Sequence, residues 1–327
     1  MRVLYIAGSG RSGSTLLARL LGQVEGVATV GELRHIWNTG APTRSRDELC
    51  GCGEPYDRCP LWSAVSASVF PGLEAGGLDA LRALARSVDR VRYLPWMLGW
   101  PSPASYRERL ERYRGVLLDL YRSILAHARG KVLVDASKDP STLFLLGTIP
   151  ELEVTVVHLV RDARGVAYSW KRRKLIRPEF RDQAVYMKQH GVRQTAGFWL
   201  YCNLLAERSS RLHHRYLRLR YEDFARRPRE ALARICEVAG LDPPELDFID
   251  PHSTLLRSPT HILSGNPNRF AGARIRFALD EEWRRAMPPG DRFGATLVAF
   301  PLLLRYGYLF SGGRAGRRDR NSRYLTN

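Results

Sequence analysis

Gly8-Ser9-Gly10-Arg11-Ser12-Gly13-Ser14-Thr15 follows directly on the apolar run Val3-Leu4-Tyr5-Ile6-Ala7. The spacing G-x-x-x-x-G-x-[ST] after a strand is that of a loop built to hold a phosphate. Glycines permit the turn, backbone N–H groups face the anion, and the next helix adds its positive end. Ser14 stands where a nucleotide triphosphatase carries the lysine that reaches the β- and γ-phosphates. Arg11, inside the loop, offers instead an always-charged fork of five donors for a 5′-phosphate. The expected ligand is anionic and is not a triphosphate. A G-x-G alone would read as a glycine-rich strand-to-helix turn, but eight residues in register with a helix behind them favour the phosphate.

A second anion signature begins where the apolar run Val154 to Val160 stops: Arg161-Asp162-Ala163-Arg164-Gly165-Val166-Ala167-Tyr168-Ser169-Trp170. If Asp162 opens a helix, Arg161 sits at its mouth and Ser169 lies two turns along, so that a guanidinium and a hydroxyl grip one phosphate. The plainer alternative is a capped helix with solvated arginines. Two phosphate sites on one sheet fit an adenosine phosphorylated at both its 5′ and 3′ positions. Elsewhere, Glu32 follows Gly31 at the end of a short strand. Lys138 is one of five lysines among 51 basic residues, a compact charge in an arginine-dominated chain. Glu32 could equally cap a helix or pair with Arg34, and Lys138 could be a solvated turn residue.

At these residues the chain resembles the sulfotransferases that use 3′-phosphoadenosine 5′-phosphosulfate, in the branch containing protein-tyrosine and bacterial carbohydrate sulfotransferases. Their 5′ loop is similar to Arg11-Ser12-Gly13-Ser14-Thr15 with Gly10, and their 3′-phosphate site to Arg161 with Ser169. Val134-Asp135-Ala136-Ser137-Lys138-Asp139-Pro140 resembles the segment whose lysine contacts the transferring sulfonate, and Gly31-Glu32 resembles the pair that supplies the base. Ser264-Gly265-Asn266-Pro267-Asn268-Arg269 is similar to a late loop that closes over the nucleotide, a role this implies for Asn266 and Arg269. Arg220-Tyr221-Glu222-Asp223 is similar to a strand-end motif that looks structural. The resemblance runs from residue 1 to about 285 and is thin between 36 and 130. It implies a P-loop-type α/β fold, that donor, no required metal, and a hydroxyl-bearing carbohydrate, lipid or small-metabolite acceptor. His35, three residues after Glu32, is the rival base, since other branches use histidine.

Physical chemistry gives the same residues matching tasks. Sulfonate transfer to a hydroxyl is an in-line displacement needing one base and several cations. Glu32 takes the proton, Lys138 stabilises the sulfonate and the leaving bridge, and Arg11 with the N–H groups of residues 12 to 15 neutralises the departing 5′-phosphate. Two other readings compete. A kinase-like phosphotransferase needs a lysine to replace Ser14 and would depend on Mg²⁺. A non-catalytic anion-binding module would use the net charge of +18, bind in a steeply salt-dependent way and ignore the 3′-phosphate. The leading reading requires no nucleic acid.

These residues need a scaffold that brings strand ends together. Val3 to Ala7, Val27 to Val30, Lys131 to Asp135, Val154 to Val160 and Tyr216 to Leu219 read as strands, with helices after them, which predicts a parallel α/β sheet covered by helices on both faces. Helices are expected over Leu16 to Val24, near Leu61 to Phe70 and Leu78 to Val88, over Tyr106 to Arg129, and over Tyr186 to Ser210 with Trp199 and Asn203 against the sheet. Residues 1–310 are expected to form one domain, with 36–130 a largely helical acceptor-side insertion carrying Trp37, Tyr93, Trp96, Trp100 and Tyr106, of which core packing accounts for at least half and an acceptor pocket for the others. Cys50, Cys52 and Cys59 read as a zinc knuckle, a disulfide or a reduced loop cluster, with His35 the obvious fourth ligand of a knuckle. No metal is assigned, and His213, His214 and His261 have no evident partner; His158 reads as a core histidine. Met1 leads straight into a strand and no apolar stretch is long enough to span a bilayer, so a cytoplasmic protein is expected. Phe293 to Phe310 followed by the basic tail 311–327 reads either as a packing helix before disorder or as a peripheral membrane contact at the inner face.

Overall fold

Five parallel strands organise the chain: β1 (Arg2–Ala7), β2 (Val27–Gly31), β3 (Val132–Asp135), β4 (Glu153–Val160) and β5 (Arg215–Arg220). Their order across the sheet is β2-β3-β1-β4-β5, parallel throughout. The computed structural model describes residues 1–39, 49–72, 75–172, 175–176, 185–186, 188–250, 253–270 and 272–309. Along β1, Val3, Tyr5 and Ala7 enter one core while Leu4 and Ile6 enter the other. With both faces covered, the strand is apolar without alternation, which is why it reads as a continuous hydrophobic run.

Helix α1 (Ser14–Leu21) follows β1. Between β2 and β3 come α2 (Pro60–Val69), α3 (Ala75–Val88) and α4 (Ala104–His127), whose buried residues join the first core. Then α5 (Pro140–Leu146) follows β3 and α6 (Ala163–Lys171) follows β4. Next come α7 (Val192–Ser209), and after β5 α8 (Tyr221–Arg226) and α9 (Pro228–Val238). Helices on both faces and a helical insertion agree with the sequence-based expectation.

Several boundaries differ from it. Helix α1 stops at Leu21, with Gly22 as its C-cap, so the expected run to Val24 overshoots it by three residues. Helix α7 begins at Val192 rather than near Tyr186. Gly191 is its extended N-cap, and Tyr186 pairs with Leu175 in a short antiparallel ladder. The last helix, α10 (Pro289–Arg305), buries Ala299, Leu302 and Leu303 against Val160, Ala163 and Trp199, while Phe293, Leu297, Phe300 and Leu304 stay exposed. Residues 311–327, the expected basic tail, lie outside the described residues. Among those described, no helix is long and apolar enough to cross a membrane.

The edge of β2 is not open. Leu263 N–H donates to Val30 O at 2.8 Å, Glu32 N–H donates to Ser264 O at 3.2 Å, and Gly31 bridges Ser264 in parallel. This late segment is thereby carried to the strand ends where the candidate residues lie.

Candidate active site

The ends of β1 to β4 open onto a cavity of about 640 Å³ lined by Gly10, Arg11, Gly13, Ser14 and Thr15 of the first loop, and also by Glu32, Lys138, Arg161, Ser169 and Asn266. The loop needs its glycines. A Cβ on Gly8 (φ +119°) would lie 2.4 Å from the carbonyl oxygen of Leu159, and one on Gly13 (φ +91°) 2.7 Å from the Tyr221 ring. Gly13 caps α1 without any side-chain bond, which leaves the first-turn N–H groups directed at the cavity. Ser12 is not at the surface of the cavity. It is fully buried, and its hydroxyl donates to Ser9 O at 2.8 Å, so its side chain shapes the loop. The Arg11 guanidinium lies 4.6 Å from the centroid of the Trp170 ring.

Arg11 (φ 66°) and Lys138 (φ 58°) are two of only three non-glycine residues with positive φ among the described residues. Such backbone costs about 1–3 kcal/mol and persists where the surroundings over-determine it. Around Lys138 those surroundings are explicit. Asp135, at the end of β3, accepts from Ser137 N–H at 2.9 Å and from Tyr121 OH at 2.9 Å. Burial pushes the Asp135 carboxyl up, against the opposing hydrogen bonds from Ser137 and Tyr121. Asp139 caps α5, accepting from Ser141 and Thr142 N–H, with Pro140 in the first turn. Lys138 lies between Ser137, tied to Asp135, and Asp139.

Lys138 Nζ donates to Glu32 Oε1 at 2.7 Å and to Ala136 O at 2.7 Å. Glu32 also meets His35, whose Nε2 is 3.3 Å from Oε2. Burial alone would raise the Glu32 carboxyl, but the Lys138 charge and the hydrogen bonds from His35 and Lys138 outweigh it and hold it at about 2. His35 does not line the cavity and is 43% exposed. Arg34, the plain partner considered for Glu32, instead pairs with Asp139 and, at 3.6 Å, with Asp89.

Asp162 caps α6 as expected, its side chain accepting from Arg164 N–H. Arg161 Nη1 donates to Arg11 O at 3.1 Å, joining the two anion motifs. Its other nitrogen lies 3.0 Å from Asp280 Oδ2, and its guanidinium sits over Tyr221 at 4.7 Å. A carboxylate thus already occupies an anion position on Arg161. In the strand-end motif, Glu222 accepts from Asp162 N–H at 3.2 Å and from Tyr308 OH at 2.7 Å, while Tyr221 lines the cavity. Asn266 N–H donates to Thr15 Oγ1 at 3.3 Å. Arg269 does not line the cavity: its Nη2 faces Leu49 O at 3.5 Å and its guanidinium lies over Phe270.

Sequence reasoning missed Arg19, Arg274 and Arg276, which also line the cavity. Arg19 lies on α1 only one turn beyond Thr15, which was a usable signal; its nitrogens hold Asn268 O and Gly272 O at 2.8 and 3.1 Å. Arg274 and Arg276 belong to a short ladder with Ser253–Leu255 that no local pattern announces. Among the described residues, six basic side chains line the cavity against Glu32 and Asp280, an excess suited to a polyanion.

The insertion aromatics mostly pack. Trp37 is buried against Phe70 and Tyr113, Tyr93 stacks on Trp96, and Tyr106 packs against both at a tilt; only Trp100 of the five is widely exposed, at 69%. His158 is a core residue as expected. Its Nδ1 meets Tyr216 OH at 2.6 Å, its Nε2 meets Asn203 Oδ1 at 2.7 Å, and burial holds its pKa near about 4. One reading requires correction: His261, which has no partner in the sequence pattern, lies against Cys50 and Cys59, while His35, the fourth ligand considered for a zinc knuckle, lies with Glu32. The segment paired with the β2 edge brings His261 across some two hundred residues of chain.

The profile of the sulfotransferase family matches residues 4–245. Among solved structures, the sulfotransferase domain of the curacin biosynthetic pathway shares 18% identity, covering 92% of this chain and 96% of its own, with a TM-score of 0.51. The sulfotransferase domain of the Synechococcus PCC 7002 olefin synthase shares 21% identity over 92% of this chain and 94% of its own, with a TM-score of 0.48. Sulfotransferase STF9 from Mycobacterium avium shares 16% over 97% and 78%, with a TM-score of 0.43. At these identities the likeness speaks to fold alone, and the curacin-pathway domain is the one that supports it. No match was found among curated proteins.

Proposed function

The chain belongs to the sulfotransferase family, whose profile spans residues 4–245, and from that premise we propose that it moves a sulfonate from 3′-phosphoadenosine 5′-phosphosulfate to a hydroxyl of a carbohydrate, lipid or small metabolite. The observation that carries this reading is that the phosphate loop, the Glu32–Lys138 pair and Arg161 with Ser169 all open on one cavity. The donor supplies an activated sulfonate on a good leaving group.

The remaining steps belong to this chain. Arg11 and the first-turn N–H groups of α1 hold the 5′-phosphate, and Arg161 with Ser169 holds the 3′-phosphate, which replaces Asp280 on the guanidinium. Lys138 leaves Glu32 for the sulfonate oxygens as the sulfur–oxygen bond to the 5′-phosphate breaks, its electron pair going to the phosphate. Without that cation, Glu32 regains the basicity its ion pair suppresses and accepts the hydroxyl proton as the new oxygen–sulfur bond forms. Glu32 is preferred over His35 because it faces the cavity and His35 does not.

Calorimetric titration with 3′-phosphoadenosine 5′-phosphate, against AMP and against ATP with Mg²⁺, tests the donor. Tight binding that depends on the 3′-phosphate and needs no added metal supports it. Preference for Mg-ATP moves the chain to phosphoryl transfer, and salt-sensitive binding blind to the 3′-phosphate leaves an anion-binding module.

The exposed row Phe293, Leu297, Phe300 and Leu304 leads towards the arginine-rich 311–327 and supports peripheral contact with an anionic membrane. Deleting 311–327 should then abolish binding to anionic liposomes; unchanged binding discards the contact.

A further inference from the structure

Cys50, Cys52, Cys59 and His261 lie away from the cavity, and none of them lines it. Each offers one ligand atom, and the four atoms fall within 4.8 Å of one another. Cys52 Sγ is 3.8 Å from Cys59 Sγ, and His261 Nδ1 is 3.8 Å from Cys50 Sγ and 3.2 Å from Cys59 Sγ. A tetrahedral zinc ion with sulfur at about 2.3 Å and nitrogen at about 2.0–2.1 Å requires S···S edges of about 3.8 Å and S···N edges of about 3.6 Å. A disulfide requires about 2.05 Å, and all three cysteines are free. The S···S separation matches that tetrahedral edge, the two S···N separations fall on either side of theirs, and the four atoms group around a common centre within 4.8 Å of one another.

The backbone is shaped for this arrangement. Gly53, at φ +97°, turns the loop so that its N–H donates to Cys50 O at 2.9 Å while Cys50 N–H donates to Glu54 O at 2.8 Å. Gly51 N–H donates to Ile262 O at 3.0 Å, and a Cβ on Gly51 would come within 2.7 Å of Thr260 O, so only glycine lets the two segments approach. On the other side, Trp62 Nε1 donates to His261 O at 3.0 Å and Tyr56 OH donates to Leu263 O. Cys50 and Cys59 are fully buried. Three buried or half-buried sulfurs with one imidazole select zinc over hard cations that prefer oxygen.

We propose that Cys50, Cys52, Cys59 and His261 bind a structural zinc ion that clamps the start of the insertion to the segment covering the β2 edge. All four positions are protein ligands, so no site is left open for chemistry. The clamp acts one step from the catalytic end. Residue 261 is followed by Leu263 and Ser264, which pair with β2, and then by Gly265 and Asn266, which line the cavity beside Glu32. The inference does not depend on the identity of the donor.

The full-length protein, purified under reducing conditions without added metal, should carry about one zinc per chain by elemental mass spectrometry. Co²⁺ exchanged into it should give the intense d–d absorption of a tetrahedral, thiolate-rich site. Cys52→Ser and His261→Ala should each lower zinc retention about tenfold or more, whereas Cys236→Ser, at a buried cysteine outside the cluster, should leave it unchanged. Where the variants fail to fold, the wild-type chain still decides: zinc should protect three thiols from alkylation and a chelator should expose them. Absence of zinc together with no cobalt band, a disulfide among these three cysteines, or full zinc retention in the variants would overturn the proposal.

Discussion

The cavity holds two cation–carboxylate pairs that differ in setting. Lys138–Glu32 is closed, at 2.7 Å with side chains 9% and 19% exposed; Arg161–Asp280 is open on its acidic side, at 3.0 Å with Asp280 39% exposed. In the first, an enclosed carboxylate is held at about 2 by its cation and is weakly basic until that cation moves. In the second, a half-solvated carboxylate sits on an arginine that another anion can take over. Under the proposed function, the first pair governs chemistry and the second governs entry of the donor.

The sharpest way to break that contrast is Glu32→Gln. It should lower turnover by about 10²- to 10⁴-fold and leave calorimetric binding of 3′-phosphoadenosine 5′-phosphate within about twofold. Full turnover would transfer the base role to His35. Arg161→Ala should do the reverse, weakening that binding by about 10- to 100-fold while AMP binding hardly changes; equal losses for both nucleotides would remove Arg161 from the 3′ site.

Lys138→Met should cost about 2–3 kcal/mol of stability at neutral pH, because it strands Glu32 without its cation. The sign follows from a depressed carboxylate: the stabilisation is fully present above the unfolded value of 4.5 and is lost as pH falls through about 2. Urea midpoints of variant and wild type should therefore converge between those limits, and a gap independent of pH would show that the pair is not its source. Smallest of all, Asp280→Asn should tighten nucleotide binding only about two- to fivefold, as expected for removing a partly solvated competitor. Weaker binding would make Asp280 an orienting group for Arg161.

Legibility in the sequence followed distance along the chain. The strand-loop-helix turn at Gly8 to Thr15 and the Asp162 cap are contiguous patterns, and each forms where its spacing indicated. Arg19, one turn past the loop, was equally local and was overlooked. Arg269 shows the limit of a loop motif, since its segment reaches the site while its own side chain turns to Leu49. The insertion aromatics show the limit of composition: it left pocket lining and core packing both open, and the structure packs most of them in a cluster.

By itself the sequence determined the strand-loop-helix units, the absence of a triphosphatase lysine at Ser14, and a basic excess suited to anions. These depend on backbone rules and charges that act within a few residues. Tertiary structure alone decided that Lys138 rests on Glu32, that Asp280 takes Arg161, and that His261 joins three cysteines from the other end of the chain. Such pairings arise from parallel crossovers and from a segment returning to the β2 edge. Their partners are fixed by packing across the sheet, and no spacing along the chain encodes that.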